Sequence, residues 1–388
     1  MSKYNFDKAI DRRLTHSYKW DIPKDTLSFS IADTDFMVAD EIVESINERA
    51  RQSTFGYTFV PNEYYDAYIY WWNHRYGLKL EREQFIFCSG VVSAIDSILK
   101  RIAKEGDNVS LFSPNYNVFY DCISNNKLNI VEVPFTYEDY HYEIDWELLE
   151  LSIAKSRAFI LCNPHNPIGV QFTKEEIIRI AELCKKYDVY LLSDEIHSDL
   201  DYGKHRYIPA MLVSDYSKLI MLVSPGKTFN LAGLHSSVIV IRDKKLRAII
   251  QKGVYHDDVG EPSFFSVEPV IAAYTKCEKY VDEENEYILE NRRVLSEFLG
   301  KNGINLKIVS GYATYLLWID ISYYSHDSEE FTRRLKEEAK IVVGSGKHYH
   351  EHFSSFIRVN IATQRENILH LCNSLKDFLG GNKDEKTN

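Results

Sequence analysis

Six cysteines are scattered along the 388 residues, at positions 88, 122, 162, 184, 277 and 372, and no two form a CxxC pair. This spacing offers neither a disulfide framework nor a zinc site; it suits free thiols in a reducing compartment. No window holds 18 uncharged apolar residues, so no membrane span is expected. The opening stretch MSKYNFDKAIDRR lacks an apolar core. A secretory leader is therefore not expected, and a cytoplasmic location is. Lys and Arg gather in nothing longer than short pairs, and the net charge is −11. Both argue against a nucleic-acid surface. No internal repeat, low-complexity segment or linker between independent units is visible.

What is present is ample core material. Hydrophobic residues make up 45% of the chain, and its length suggests two domains or one large domain with an appendage. Residues 108–112, 129–134, 158–162, 189–192, 219–223 and 236–241 read as strands. Between them lie helical patterns. The helix from Thr173 to Tyr187 opens on a capping box, Thr173 with Glu176. The aromatic run from Glu63 to Tyr76 reads as a core stripe, and 266–300 as mostly helical. Repeated strand–helix–strand units with short loops predict a mostly parallel sheet, with ligands at the C-terminal ends of its strands. The acids of FSIADTDF, Asp33 and Asp35, are expected to cap the helix that follows.

Three segments carry chemistry. VSPGKTFNLAGL (Val223–Leu234) sets Lys227 in a turn after an apolar strand, with small neighbours that leave room for a bulky group. SDEIH (Ser193–His197) places Asp194 33 residues upstream of it, and NPHNPIG (Asn163–Gly169) holds Asn166 between prolines. A lysine, an aspartate and an asparagine after strand-like runs are what pyridoxal 5'-phosphate (PLP) needs. The lysine carries the cofactor as a Schiff base, and the cofactor serves as an electron sink. A carboxylate beside the pyridine nitrogen favours its protonated form, and an amide can donate to the ring's O3′. Once released by substrate, the lysine amine is placed to take the Cα proton. His165 is expected to be scaffold.

The order NPHNP, SDEIH, SPGKTFNLAGL resembles the fold-type I PLP-dependent enzymes of the aminotransferase class I/II superfamily. KWD (Lys19–Asp21), IADTDF (Ile31–Phe36), FGYT (Phe55–Thr58), SDEIHSDL (Ser193–Leu200) and ATYLLWID (Ala313–Asp320) resemble its C–S lyase branch, the cystathionine β-lyase-like proteins. The resemblance implies a three-layer αβα large domain, with a smaller α/β C-terminal domain. The expected division is 1–50 as N-terminal arm and part of the small domain, 51–285 as the large PLP-binding domain, and 286–388 as the small domain. Gly90, Val91 and Val92 are then the phosphate cradle, through backbone N–H groups at a helix start. Tyr116 stacks on the cofactor ring, and Ser224 is a phosphate ligand. His197 stands where the wider superfamily commonly has a tyrosine that supports O3′. Tyr57 reaches the phosphate of the other subunit, which makes a homodimer the expected assembly. Arg358, in FIRVNIA (Phe356–Ala362), clamps the substrate carboxylate with its planar fork.

Two positions depart from the family pattern. Gly226 replaces a usual serine or threonine, and His235 stands where aminotransferases commonly carry a phosphate-binding arginine. The expected function is α,β-elimination of cystathionine or cysteine to pyruvate, ammonia and homocysteine or sulfide. Lys227 acts as the base, with Tyr116 or Lys227 as the acid for the leaving thiolate. The rivals are an aminotransferase on the same scaffold and a regulatory protein that acts through a transcription-factor partner.

Overall fold

Two apolar faces on one sheet explain the main architecture. In the strand Phe85–Cys88 all four side chains are buried. Phe85 and Phe87 enter one core cluster, and Ile86 and Cys88 enter the other. The strand Leu219–Val223 divides likewise, with Met221 and Val223 on one side and Ile220 and Leu222 on the opposite one. Successive side chains of a strand point to opposite faces, so a strand buried throughout needs cover on both. The helices Val91–Ile102, Asn117–Asn125 and Lys244–His256 supply it on one face. Asn62–Tyr76, Lys174–Lys186 and Glu268–Lys276 supply it on the other. The result is a three-layer αβα arrangement.

The computed structural model describes residues 3–203 and 206–380. The polar tail GGNKDEKTN (Gly380–Asn388), expected from its composition to be disordered, lies from residue 381 onward outside the described residues. The large sheet has seven strands, in the order Phe85–Cys88, Ser237–Ile241, Leu219–Val223, Tyr190–Asp194, Ala158–Cys162, Asn108–Ser113, Asn129–Pro134. Only Ser237–Ile241 runs antiparallel to its neighbours. The other pairings are parallel. The strand–helix alternation predicted this mostly parallel α/β sheet, and its three-layer form is the fold-type I architecture that the resemblance implied. The aromatic helix Asn62–Tyr76 buries Tyr64, Tyr68, Trp71 and Trp72, as a core stripe should. The Thr173–Glu176 capping box forms in both directions.

A second, antiparallel sheet joins Lys307–Ile308, Leu316–Asp320, Phe356–Asn360 and Gly344–Ser345. The N-terminal segment belongs to this side, where Leu27–Ser28 pairs in parallel with Ile341–Val342. The long helix Glu278–Lys301 touches both bodies. Asn285 Nδ2 donates to the Asp199 carbonyl at 2.7 Å, at the large sheet. Asn291 Nδ2 donates to the carbonyls of Ile361 and Thr363, both at 2.8 Å, beside the small one.

One expectation fails here. Asp33 and Asp35 do not cap the helix Asp40–Ala50, whose N-cap, Ala39, makes no side-chain bond. Lys19, with no exposed side-chain surface, approaches Asp35 at 3.0 Å, and Trp20 Nε1 donates to the same carboxylate at 2.6 Å. Arg12 pairs with Asp33 at 2.8 Å. A buried ammonium needs a paired charge, and that demand takes both acids away from the helix. Asp40 and Glu41 of the first turn face the helix dipole instead. All six cysteines are buried and free. Among the described residues there is no His/Cys/Asp/Glu group able to hold a metal ion, and no helix long and apolar enough to cross a membrane.

Candidate active site

The C-terminal ends of four parallel strands open into one cavity of about 620 Å³. Each strand ends in a functional candidate. Tyr116 follows Asn108–Ser113, Asn166 follows Ala158–Cys162, Asp194 ends Tyr190–Asp194, and Lys227 follows Leu219–Val223. The small sheet adds Arg358 from its strand Phe356–Asn360. All five line the cavity, together with Gly90, Val91, Val92, His197, Ser224, Gly226 and His235. The sequence motifs therefore converge, although they lie up to 268 residues apart (358 − 90).

Electrostatics at the site follow from burial. Lys227 Nζ donates to the Ala32 carbonyl at 2.6 Å. Burial, helped by the Arg358 charge, pulls the lysine down to about 8, while Asp33 and Asp194 pull the other way. Asp194 is 4% exposed, and its carboxylate accepts a 3.1 Å bond from the Ile196 N–H. Burial pushes it up to about 7 against that bond and the Lys227 charge. His197 is held well below the usual histidine range by burial, then by Lys227 and Arg358. Its Nδ1 is buried and has no partner. Arg358 Nη2 donates to the Ser30 carbonyl at 2.8 Å, and Nη1 to Asn166 Oδ1 at 3.3 Å. Its Nε is buried without a partner. Burial raises the Tyr116 hydroxyl, against the Arg358 charge.

These features fit a planar cationic heterocycle that carries a phosphate. A buried carboxylate with a single backbone donor gains most from a cationic N–H beside it. The start of the helix Val91–Ile102, with Gly90 as its N-cap, gives the cavity free backbone N–H groups for an anion.

Several details differ from the sequence-based expectations. Gly90 has extended backbone, and a Cβ there would meet nothing nearer than Ser93 Oγ at 3.8 Å. The protein itself therefore does not require glycine at that position. Gly226 is tighter. A Cβ would stand 3.1 Å from Ser224 Oγ and 3.3 Å from the Ala232 Cα, so a side chain there requires these neighbours to give by a few tenths of an ångström. Ser224 already donates to the Ser236 carbonyl at 2.8 Å, so it must rotate before it can donate to a phosphate. His165 is wholly buried, and its Nε2 lies 2.6 Å from the Pro114 carbonyl, as expected of scaffold. Tyr57 lies outside its own chain's cavity and is fully exposed, in keeping with the expectation that it serves the other subunit. Sequence reasoning missed Ser89, Ser93, Ser236, His348 and Tyr349, which also line the cavity. Of these, Ser89 and Ser93 flank Gly90, and a hydroxyl at a strand–helix turn was the one available signal.

A mostly parallel α/β sheet with a lysine, a buried aspartate and an asparagine at its strand ends defines a PLP enzyme of fold type I. The chain belongs to the family Aminotransferase class I and II, whose description matches residues 24–375. That family is PLP-dependent, and PLP is the cofactor of this chain. The chain is 35% identical over 366 residues to cystathionine beta-lyase PatB of Bacillus subtilis (strain 168), covering 92% of this chain and 95% of that protein. Among solved structures it is similar to the PLP-bound C-S lyase from Staphylococcus hominis, with a TM-score of 0.91, 29% identity, and 97% and 98% of the two chains covered. It is also similar to a PLP-bound protein from Clostridium difficile 630 described provisionally as an aminotransferase. Here the TM-score is 0.94 and the identity 31%, with 97% and 100% covered.

Proposed function

We propose that this protein is a PLP-dependent carbon–sulfur β-lyase that acts on cystathionine or cysteine. The observation that carries the proposal is the convergence of Lys227, Asp194 and Arg358 on one cavity. The likeness to cystathionine beta-lyase PatB supports the lyase over the aminotransferase. Among the described residues Arg358 is the only guanidinium that lines the cavity, which makes it the group for the substrate α-carboxylate.

PLP, when bound, takes up the electron pair released at the substrate Cα. Lys227 would hold the cofactor covalently. Asp194 would hold the ring nitrogen, Asn166 and His197 would face O3′, and Tyr116 would hold the ring face. Gly90, Val91, Val92 and Ser224 would face the phosphate. Arg358 binds the substrate carboxylate and so fixes the Cα–H bond relative to Lys227. Lys227, once free, accepts the Cα proton, and its lowered affinity for protons keeps part of it neutral near pH 7. The electron pair of the broken C–H bond forms the Cα=Cβ bond, and the Cβ–S bond breaks. The proton on Lys227, or that of Tyr116, goes to the leaving thiolate. Hydrolysis of the released enamine gives pyruvate and ammonia.

We further propose a homodimer in which Tyr57 serves the partner's cavity. It stands with Phe55 and Phe59 in an exposed aromatic segment, a costly surface for a monomer. The division at about residue 285 is likewise proposed, supported by the switch of partners from Asn285 to Asn291 along one helix. Buried free cysteines support a cytoplasmic location. Borohydride fixation of PLP followed by peptide mapping tests the core of the reading. Label on Lys227, and none in Lys227→Ala, is the expected result; label on another lysine overturns it.

A further inference from the structure

We propose that Tyr315 is a positioning residue for Lys227, because its hydroxyl fixes the Ala32 carbonyl that holds the lysine amine. Two donors share this oxygen. Lys227 Nζ donates to it at 2.6 Å and the Tyr315 hydroxyl at 3.0 Å. A carbonyl oxygen has two lone pairs, so the pair saturates it. Tyr315 is fully buried and does not line the cavity. It stands behind the wall, with its ring edge-on to His197 at 6.2 Å.

The rest of the segment is anchored on both sides of Ala32. Arg358 Nη2 donates to the Ser30 carbonyl at 2.8 Å. Asn360 Nδ2 donates to the carbonyls of Ile31 at 2.6 Å and Asp33 at 2.7 Å. Asn230, three residues after the lysine, exchanges two bonds with the Thr34 backbone, at 3.0 and 3.3 Å. None of these anchors touches Ala32. Apart from Lys227, only Tyr315 bonds its carbonyl among the described residues. A lysine has four side-chain torsions, and a fixed acceptor selects among them. The saturated carbonyl therefore sets where the free amine waits.

The inference rests on the reading of Lys227 as the cofactor lysine, and its test separates the two. In the protein freed of cofactor, acylation of Lys227 by acetic anhydride is followed against pH by mass spectrometry. The carbonyl bonds an ammonium more strongly than an amine, so the hold favours the charged form. In Tyr315→Phe the carbonyl drifts, and Lys227 acylates about threefold faster at pH 7. With cofactor, kcat falls about tenfold while KM stays within about twofold. Tyr202→Phe is the control. It removes a hydroxyl from the neighbouring Thr314 carbonyl, 2.6 Å away and outside the cavity, and leaves the acylation profile unchanged. If the phenylalanine variant does not fold, Tyr315→Met is read in the same way. An unchanged or slower acylation of Lys227 overturns the role of Tyr315, as does an equal effect of Tyr202→Phe. PLP fixed on a different lysine overturns the functional reading instead.

Discussion

Asp194→Asn keeps the shape of the side chain and removes its charge. In the cofactor-free protein, burial raises this carboxyl from its ordinary 3.8 to about 7. That rise disfavours the ionised form by about 4 kcal/mol, at about 1.36 kcal/mol per pH unit. The sign follows from proton linkage. Between pH 4 and 7 the folded state keeps the proton that the unfolded state has lost, so stability falls as pH rises and levels off above the folded value. Asparagine carries no such penalty. The cofactor-free variant should therefore gain on the parent by up to about 4 kcal/mol between pH 4 and 7, with no further gain above. PLP binding should move in the opposite direction. A cation beside Asp194 recovers part of the penalty, worth about 1 to 3 pH units for a charge pair in contact. The variant should thus bind PLP about 10- to 1000-fold more weakly. Denaturant unfolding at pH 5 and 8 without cofactor, and a PLP titration followed by fluorescence, read both effects. Parallel unfolding profiles together with unchanged PLP affinity would refute the placement of Asp194.

Other outcomes follow from the same geometry. Arg358→Lys should raise KM about 10- to 100-fold, because an ammonium cannot match a carboxylate with two parallel bonds; steady-state kinetics check it. Mixing Lys227→Ala with Tyr57→Ala should restore activity above that of either variant, since one intact site forms in each mixed dimer; no recovery on mixing would sink the shared site. Gly311→Ala should yield little folded protein, as its Cβ would fall 2.2 Å from the Gly169 backbone, whereas Gly300→Ala, with nothing within 4 Å, should gain about 0.5 to 1 kcal/mol in denaturant unfolding.

Much of this was legible in the chain itself. Strands buried on both faces are continuous apolar runs, so Ala158–Cys162 and Leu219–Val223 could be bounded without a structure. Their ends carry the residues that the chemistry requires, and parallel topology then places Tyr116, Asn166, Asp194 and Lys227 at one edge. What stayed hidden depends on contacts made at long range. Asp33 and Asp35 resemble helix caps in sequence, but the buried Lys19, Trp20 and the nearby Arg12 claim them. Tyr349 and His348 enter the cavity from a three-ten turn with no motif of its own. The tight fit at Gly226 comes from Ala232, which the sequence places six residues away but the turn folds back against it.

The most direct test of the central claim is to supply the PLP-loaded protein with L-cystathionine alone and follow pyruvate through a coupled dehydrogenase. Sustained pyruvate release with no keto acid present is the predicted result. Turnover that begins only when a keto acid is added would contradict the lyase and move the protein to the aminotransferases.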